Sequence, residues 1–307
     1  MAGRMVLVLL ALLVPAGAVL EAAQIHLRGR APGQRSWKGA PVRDINSRMV
    51  DPAKHATRTG RVFDHQYGRN IEIKSLGLRE LVGMYHPRLV GMDLAILHFS
   101  NGILFPLPLN MLKTNPEPLI ATAIRQKGRW TATFPPVRLH QSGSVQKVSF
   151  KGNKLVVGRS WLKKYAKATK YGELDPFRRA GSLVGVEFVD SNAWFAQFRV
   201  ASEKSHFRGR MVYFKRCQFC HSIRGLGATH GPDFDSPRVS RYFTAKKIYT
   251  HVRLAGRKGG GMPGQGDFTK AEARDFALWL KGVKKTALTE YRPSYAKFLV
   301  PPDGAGP

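Results

Sequence analysis

Acidic residues are scarce in this 307-residue chain: 20 Asp and Glu stand against 50 Lys and Arg, for a formal net charge of +30. In a cytoplasmic protein such an excess would point to nucleic acid; elsewhere it suits an acidic partner or an anionic surface. Cysteine is scarcer still. Its two residues cannot build a disulfide framework, and they leave no second thiol pair for a four-cysteine zinc site. Apart from Met5 to Val14, long apolar runs are missing, and that run is about ten residues against the roughly twenty that cross a bilayer as a helix. There is no Gly-x-Ser-x-Gly nucleophile turn and no glycine-rich phosphate loop ahead of a helix, so neither an esterase-type triad nor a nucleotide site is indicated.

The N-terminus has the parts of a secretory signal: Arg4, the apolar run Met5 to Val14, and the small-x-small sequence Ala16-Gly17-Ala18. Residues 1–18 are read as that signal, and the mature chain as periplasmic or otherwise exported, with no transmembrane span. An uncleaved anchor is the alternative, since apolar Val19 and Leu20 follow the cleavage site. Export removes nucleic acid as a partner and leaves an acidic redox protein as the candidate for the basic surface.

The pattern predicts an α+β chain, with a strand-rich N-terminal domain followed by a small all-α domain. Residues 19–61, rich in Arg, Lys, Gly and Pro, are read as an irregular entry segment. The strand-rich domain covers residues 62–202. Ile71 and Ile73 alternate as in a strand, and Leu78, Leu81, Val82 and Tyr85 recur at helical spacing up to Pro87. Asp93 to Phe99 and Ile103 to Leu107 flank Ser100-Asn101-Gly102, a hairpin signal. Two more hairpins are predicted, Val145 to Phe150 turning at Gly152-Asn153 into Leu155 to Val157, and Val184 to Val189 turning at Asp190-Ser191-Asn192 into Trp194 to Val200. Trp161 to Tyr171 reads as a short surface helix. A helical pattern begins near Ala201-Ser202-Glu203-Lys204. The all-α domain is placed at 203–292, its last helix opened by the capping-box pair Thr269 and Glu272, and residues 293–307 are read as a disordered tail.

The strongest chemical signal is Cys217-Gln218-Phe219-Cys220-His221. Two thiols three residues apart can form thioethers to the two vinyl groups of a haem while the next residue presents an imidazole to its iron. The motif implies one covalent haem c. The second axial ligand must come from chain that has passed round to the other haem face. Met262, in Gly259-Gly260-Gly261-Met262-Pro263-Gly264, meets that need, with His230 and His251 as competitors. A thioether sulfur favours ferrous iron and raises the potential relative to a second imidazole. His98, His140 and His206 stand singly, without metal-site spacing, and His65, His86 and Asp93 form no acid–base pair.

From about Phe207 to Val283 the chain resembles the class I cytochromes c with histidine and methionine ligation. The likeness rests on Gly209, Phe214, Cys217, Cys220, His221, Gly231-Pro232-Asp233-Phe234, Gly261-Met262-Pro263 and Trp279-Leu280. It implies that the Pro232 carbonyl accepts a hydrogen bond from the free ring nitrogen of His221 and so orients that ligand. Residues from about Val62 to Phe198 are similar, more faintly, to the molybdopterin-binding fold of sulfite-oxidase-type enzymes. That likeness rests on Ile73 to Leu81, Asp93 to Phe99 with Asn101-Gly102, Phe105 to Leu112 and Gly181 to Val189. Such enzymes bind molybdenum through a cysteine thiolate, which this region lacks, so the resemblance implies a docking module and not a molybdenum centre. The function expected from the whole is periplasmic electron transfer through one haem. The alternatives are a haem-bearing subunit of an oxidoreductase acting on a small substrate, such as a sulfur compound, and a basic anchor on envelope material that carries the haem part as cargo.

Overall fold

The computed structural model describes residues 24–29, 45–84, 92–113, 117–141, 144–169, 176–196, 198, 200, 203–223, 226–240, 243–255, 262 and 264–285. The signal and tail assignments, Tyr85, His86 and the glycines before Met262 lie outside them. Strands dominate up to about residue 190 and helices after 203, an α+β arrangement.

Two five-stranded sheets organise the first part. The first has the order β2 (Ile45–Val50), β1 (Ile25–Gly29), β12 (Leu183–Val189), β5 (Leu94–Phe99) and β6 (Leu104–Pro108). β1 runs parallel to β12 and the other neighbours are antiparallel. The second sheet has the order β11 (Lys154–Val156), β7 (Leu119–Gln126), β4 (Arg69–Gly77) and β3 (Arg58–Asp64), with the short β8 (Arg129–Thr131) also paired to β7. A separate hairpin, β9 (Thr133–Gln141) with β10 (Ser144–Lys151), lays Phe134, Val137, Val148 and Phe150 on Ile71, Ile73, Ala121 and Ile124 of the second sheet.

Several expectations are met and others corrected. The 99–104 hairpin forms, with Gly102 at φ +77° and its amide donating to the Phe99 carbonyl at 2.9 Å. The 19–61 segment is not irregular throughout: β1 and β2 lie within it, because Ile25 and Leu27 alternate and fill the core. The two later hairpins do not form. β10 and β11 flank Gly152, at φ +80°, yet β10 pairs with β9 and β11 with β7, so the glycine redirects the chain from one layer to another. After β12 the chain enters α3 (Ser191–Ala196), started by the Asp93 carboxylate, which accepts from the Ser191 amide and hydroxyl at 2.7 and 2.6 Å. Both neighbours of β12 are already taken, by β1 and β5, so a further strand has no place there. The predicted surface helix is α2 (Arg159–Thr169), but it buries Trp161 and Tyr165 against Phe105 and Phe177.

The helical part comprises α4 (Glu203–Val212), the single turn α5 (Pro237–Ser240), α6 (Ala245–Leu254) and α7 (Lys270–Lys285). α7 opens with the predicted capping box: the Glu272 amide donates to Thr269 Oγ1 at 3.1 Å and the Thr269 amide to Glu272 Oε2 at 2.9 Å. α4 crosses α7 at Gly209, where a Cβ would lie 2.5 Å from Trp279 Cβ and closer still to the Asp275 carbonyl, so the two backbones touch. Trp279, Phe276, Tyr213, Phe214 and Phe198 fill the space beneath, together with Leu94, Ile96 and Leu104 from the first sheet. No helix among the described residues is long and apolar enough to cross a membrane.

Candidate functional site

The Cys-x-x-Cys-His segment begins as α4 widens into a π-helical turn, Tyr213–Cys217, with the Gln218 amide reaching back five residues to the Tyr213 carbonyl at 3.0 Å. Such turns concentrate at functional sites because they re-aim side chains without breaking the helix. The chain then folds tightly on itself: the Cys220 and His221 amides both donate to the Cys217 carbonyl, at 3.1 and 2.9 Å. Arg216 pins this turn to the start of α7 through Glu272 at 2.9 Å and Asp267 at 3.0 Å. Both cysteines are free thiols. Burial pushes each thiol up, Cys220 to about 11, with Arg179 acting in the opposite sense on Cys220. A thioredoxin-type pair or a zinc ligand needs a depressed value and a ready thiolate, the reverse of this environment.

His221 is half-buried and firmly oriented. Its Nδ1 lies 2.8 Å from the Pro232 carbonyl, which fixes that nitrogen as the donor and leaves Nε2 with its lone pair. Burial holds the imidazole below its ordinary pKa, the Pro232 bond opposing, so the ring is neutral and able to ligate. Phe234 stacks on it at 4.8 Å, and Gly231 presses so close that a Cβ would lie 2.5 Å from the ring. The loop that does this is tied down at both ends: the Gly231 amide donates to the Cys220 carbonyl at 2.6 Å, and Ser222 Oγ to Asp233 Oδ2 at 2.7 Å. Tyr213, fully buried, donates its hydroxyl to the His221 carbonyl at 3.1 Å.

Met262 is partly buried and packs on the same apolar cluster as Cys217 and Phe234. His251 is exposed on α6, and the Nδ1 of His230 faces the Asn101 carbonyl at 2.9 Å. His98 is buried within the first sheet, 3.5 Å from Glu187, while His206 lies beside Gly282. No group of three or more His, Cys, Asp or Glu side chains among the described residues is arranged to hold a bare metal ion. The arrangement suits a prosthetic group held by sulfur at its edge and nitrogen at its centre: two neutral thiols, one neutral imidazole with a fixed tautomer, and a thioether on the shared apolar cluster.

Sequence reasoning missed how far the motif reaches into the sheet. Phe219, between the cysteines, leaves the helical cluster and enters the sheet core, 5.6 Å from Phe105, and its carbonyl accepts from the Leu104 amide at 3.1 Å. A large aromatic between the two cysteines was the available signal. No family model, curated protein or solved structure matches this chain.

Proposed function

We propose that the chain is an exported electron-transfer protein carrying one haem c, with a C-terminal part of class I cytochrome c type and an acidic redox protein as its partner. The observation that carries this reading is the 2.8 Å contact from His221 Nδ1 to the Pro232 carbonyl, one residue after the paired thiols. Such a bond prepares an imidazole for metal, and an ordinary surface histidine has no use for it. When bound, the haem supplies reversible one-electron chemistry, ferric to ferrous. The protein's tasks are positional: Cys217 and Cys220 hold the group by thioethers, His221 offers Nε2, Met262 offers sulfur from the other side, and Phe234, Phe276 and Trp279 exclude water. The basic excess supports an acidic partner by steering, which should weaken as salt rises.

The test is a pyridine haemochrome assay with oxidised and reduced spectra on the exported protein. One acid-stable haem per chain and a sulfur-to-iron charge-transfer band support the reading. A Met262→Ala variant should keep covalent haem and lose that band; an unchanged band removes Met262 from the ligand set. Acid-extractable haem, or a high-spin iron open to small ligands, would instead favour an oxidoreductase subunit.

A further inference from the structure

The 99–104 hairpin of the first sheet holds the chain on both sides of His221. Ahead of it, the Leu104 amide donates to the Phe219 carbonyl at 3.1 Å. Beyond it, the Thr229 amide donates to the Gly102 carbonyl at 2.8 Å. His230 Nδ1 lies 2.9 Å from the Asn101 carbonyl, which can only accept, so this nitrogen carries the proton. At Gly102 a Cβ would lie 2.5 Å from Thr229 Oγ1 and 2.8 Å from the His230 amide, so the positive φ and the missing side chain both serve this contact. The turn is itself tied into the sheet part: the Asn101 side chain donates to the Arg179 carbonyl at 2.6 Å and accepts from the Gly181 amide at 3.2 Å. Directly after His230 come the two residues that touch the imidazole of His221, Gly231 against the ring and Pro232 through its carbonyl.

We propose that the 99–104 hairpin is part of the haem site, and that His230, anchored on the Asn101 carbonyl, is a positioning residue that sets the bond between His221 Nδ1 and the Pro232 carbonyl. The inference rests on the haem reading above. Asn101 and Gly102 lie outside the stretch that resembles class I cytochromes c, so the sheet part supplies a support that the resemblance does not imply. With Thr229 and His230 fixed to the hairpin, the Pro232 carbonyl is held 2.8 Å from Nδ1. A hydrogen bond at that nitrogen raises the basicity of the ligating one, and a more basic imidazole favours ferric iron. Releasing His230 therefore weakens the bond and raises the potential. Reduction takes one electron from the mediator, ferric to ferrous, and moves no proton or atom.

The experiment is a mediated potentiometric titration of the full-length haem-loaded protein, with urea denaturation of the same samples, comparing wild type with His230→Ala, His230→Asn and His55→Ala. An asparagine amide can donate where His230 Nδ1 does, and His55 is an exposed histidine of the sheet part. H230A should shift the ferrous-to-ferric ratio at fixed potential about tenfold toward ferrous, ~59 mV for one electron. H230N should recover most of that shift, and H55A should leave the potential unchanged. With normal haem content, a wild-type potential in H230A, or a shift toward ferric, overturns the inference and leaves the haem reading intact. It does so even where H230A is less stable to urea, because a contact that only supports the fold lowers stability without moving the potential. H230N or H55A shifted as far as H230A overturns it too. If H230A loads no haem, H230N decides: normal loading at a wild-type potential supports the inference, and any other result overturns it. A wild type without covalent haem defeats the underlying reading, and the inference with it.

Discussion

Gly231 is the position at which a single carbon atom should disturb the site most. An alanine Cβ there would lie 2.5 Å from His221 Cε1, 2.7 Å from Nδ1 and 3.0 Å from Nε2. Carbon atoms in contact sit about 3.5–4.0 Å apart, so the imidazole must retreat by about 1 Å. A movement of that size stretches the 2.8 Å contact between Nδ1 and the Pro232 carbonyl beyond hydrogen-bonding range. Losing that bond costs about 0.5–1.5 kcal/mol, and overpacking a filled site adds roughly 1–3 kcal/mol. The expected loss for G231A is therefore about 2–4 kcal/mol, read by urea denaturation of the purified protein at constant slope. Gly266 is the control, because a Cβ there meets nothing within 4 Å, and G266A should stay within about 0.5 kcal/mol of wild type. A G231A protein as stable as wild type, or equal losses in both variants, would refute the packing of this loop against His221.

Two further outcomes concern stability away from the Cys-x-x-Cys-His segment. Lys154 and Asp64 form an ion pair with both side chains fully buried, Lys154 also lying 4.8 Å from the Tyr67 ring and 5.1 Å from that of Phe150. Lys154→Met alone should cost about 3–5 kcal/mol by stranding the carboxylate, and the double variant D64L/K154M should recover most of it; a double variant no better than the single would refute the pairing argument. Burial depresses the Lys154 ammonium below its ordinary 10.5, with Asp64 opposing, so between the folded value and 10.5 the unfolded chain binds the extra proton. Wild type should gain stability relative to the double variant as pH rises through that window and gain nothing further above it, which denaturation at several alkaline pH values would check. At the start of α7, Thr269→Ala removes the acceptor for the Glu272 amide and should cost about 1 kcal/mol by the same denaturation assay, with Thr269→Ser close to wild type.

How much of this was legible depended on whether the signal was local. The 99–104 hairpin and the capping box of α7 follow from turn chemistry and periodicity within a dozen residues, and they appear where the pattern put them. The false hairpins failed because adjacency in sequence was taken for adjacency in the sheet. Gly152 and the Asp190-Ser191-Asn192 cluster do turn the chain, but a turn residue does not say which strand comes next to which. β1 was missed because five residues in a basic segment carry little weight until a parallel partner strand far along the chain, Leu27 pairing with Val186, buries Ile25 and Leu27. At the site, Cys217, Cys220 and His221 could be read from spacing alone. Asn101 and Phe219 could not, since nothing local marks an asparagine and a phenylalanine as partners in one packed site.

The strand Leu94–Phe99 explains why the sheet and the helices hold each other in place. Its sequence, Leu-Ala-Ile-Leu-His-Phe, shows no alternation, and every residue is buried. Ala95, Leu97 and Phe99 face the core shared with α2 and Phe219, whereas Leu94 and Ile96, joined by Leu104, face Tyr213, Phe214 and Trp279. A strand buried along its whole length must be covered on both faces, and here the second cover is the helical cluster beneath the Cys-x-x-Cys-His segment. Burying those three side chains is worth on the order of 5–9 kcal/mol, a large share of the ~5–15 kcal/mol net stability of a typical protein. The sheet therefore depends on the helices as much as the helices depend on it. The contacts of Asn101 and Phe219 across that junction therefore follow from how the two parts are packed.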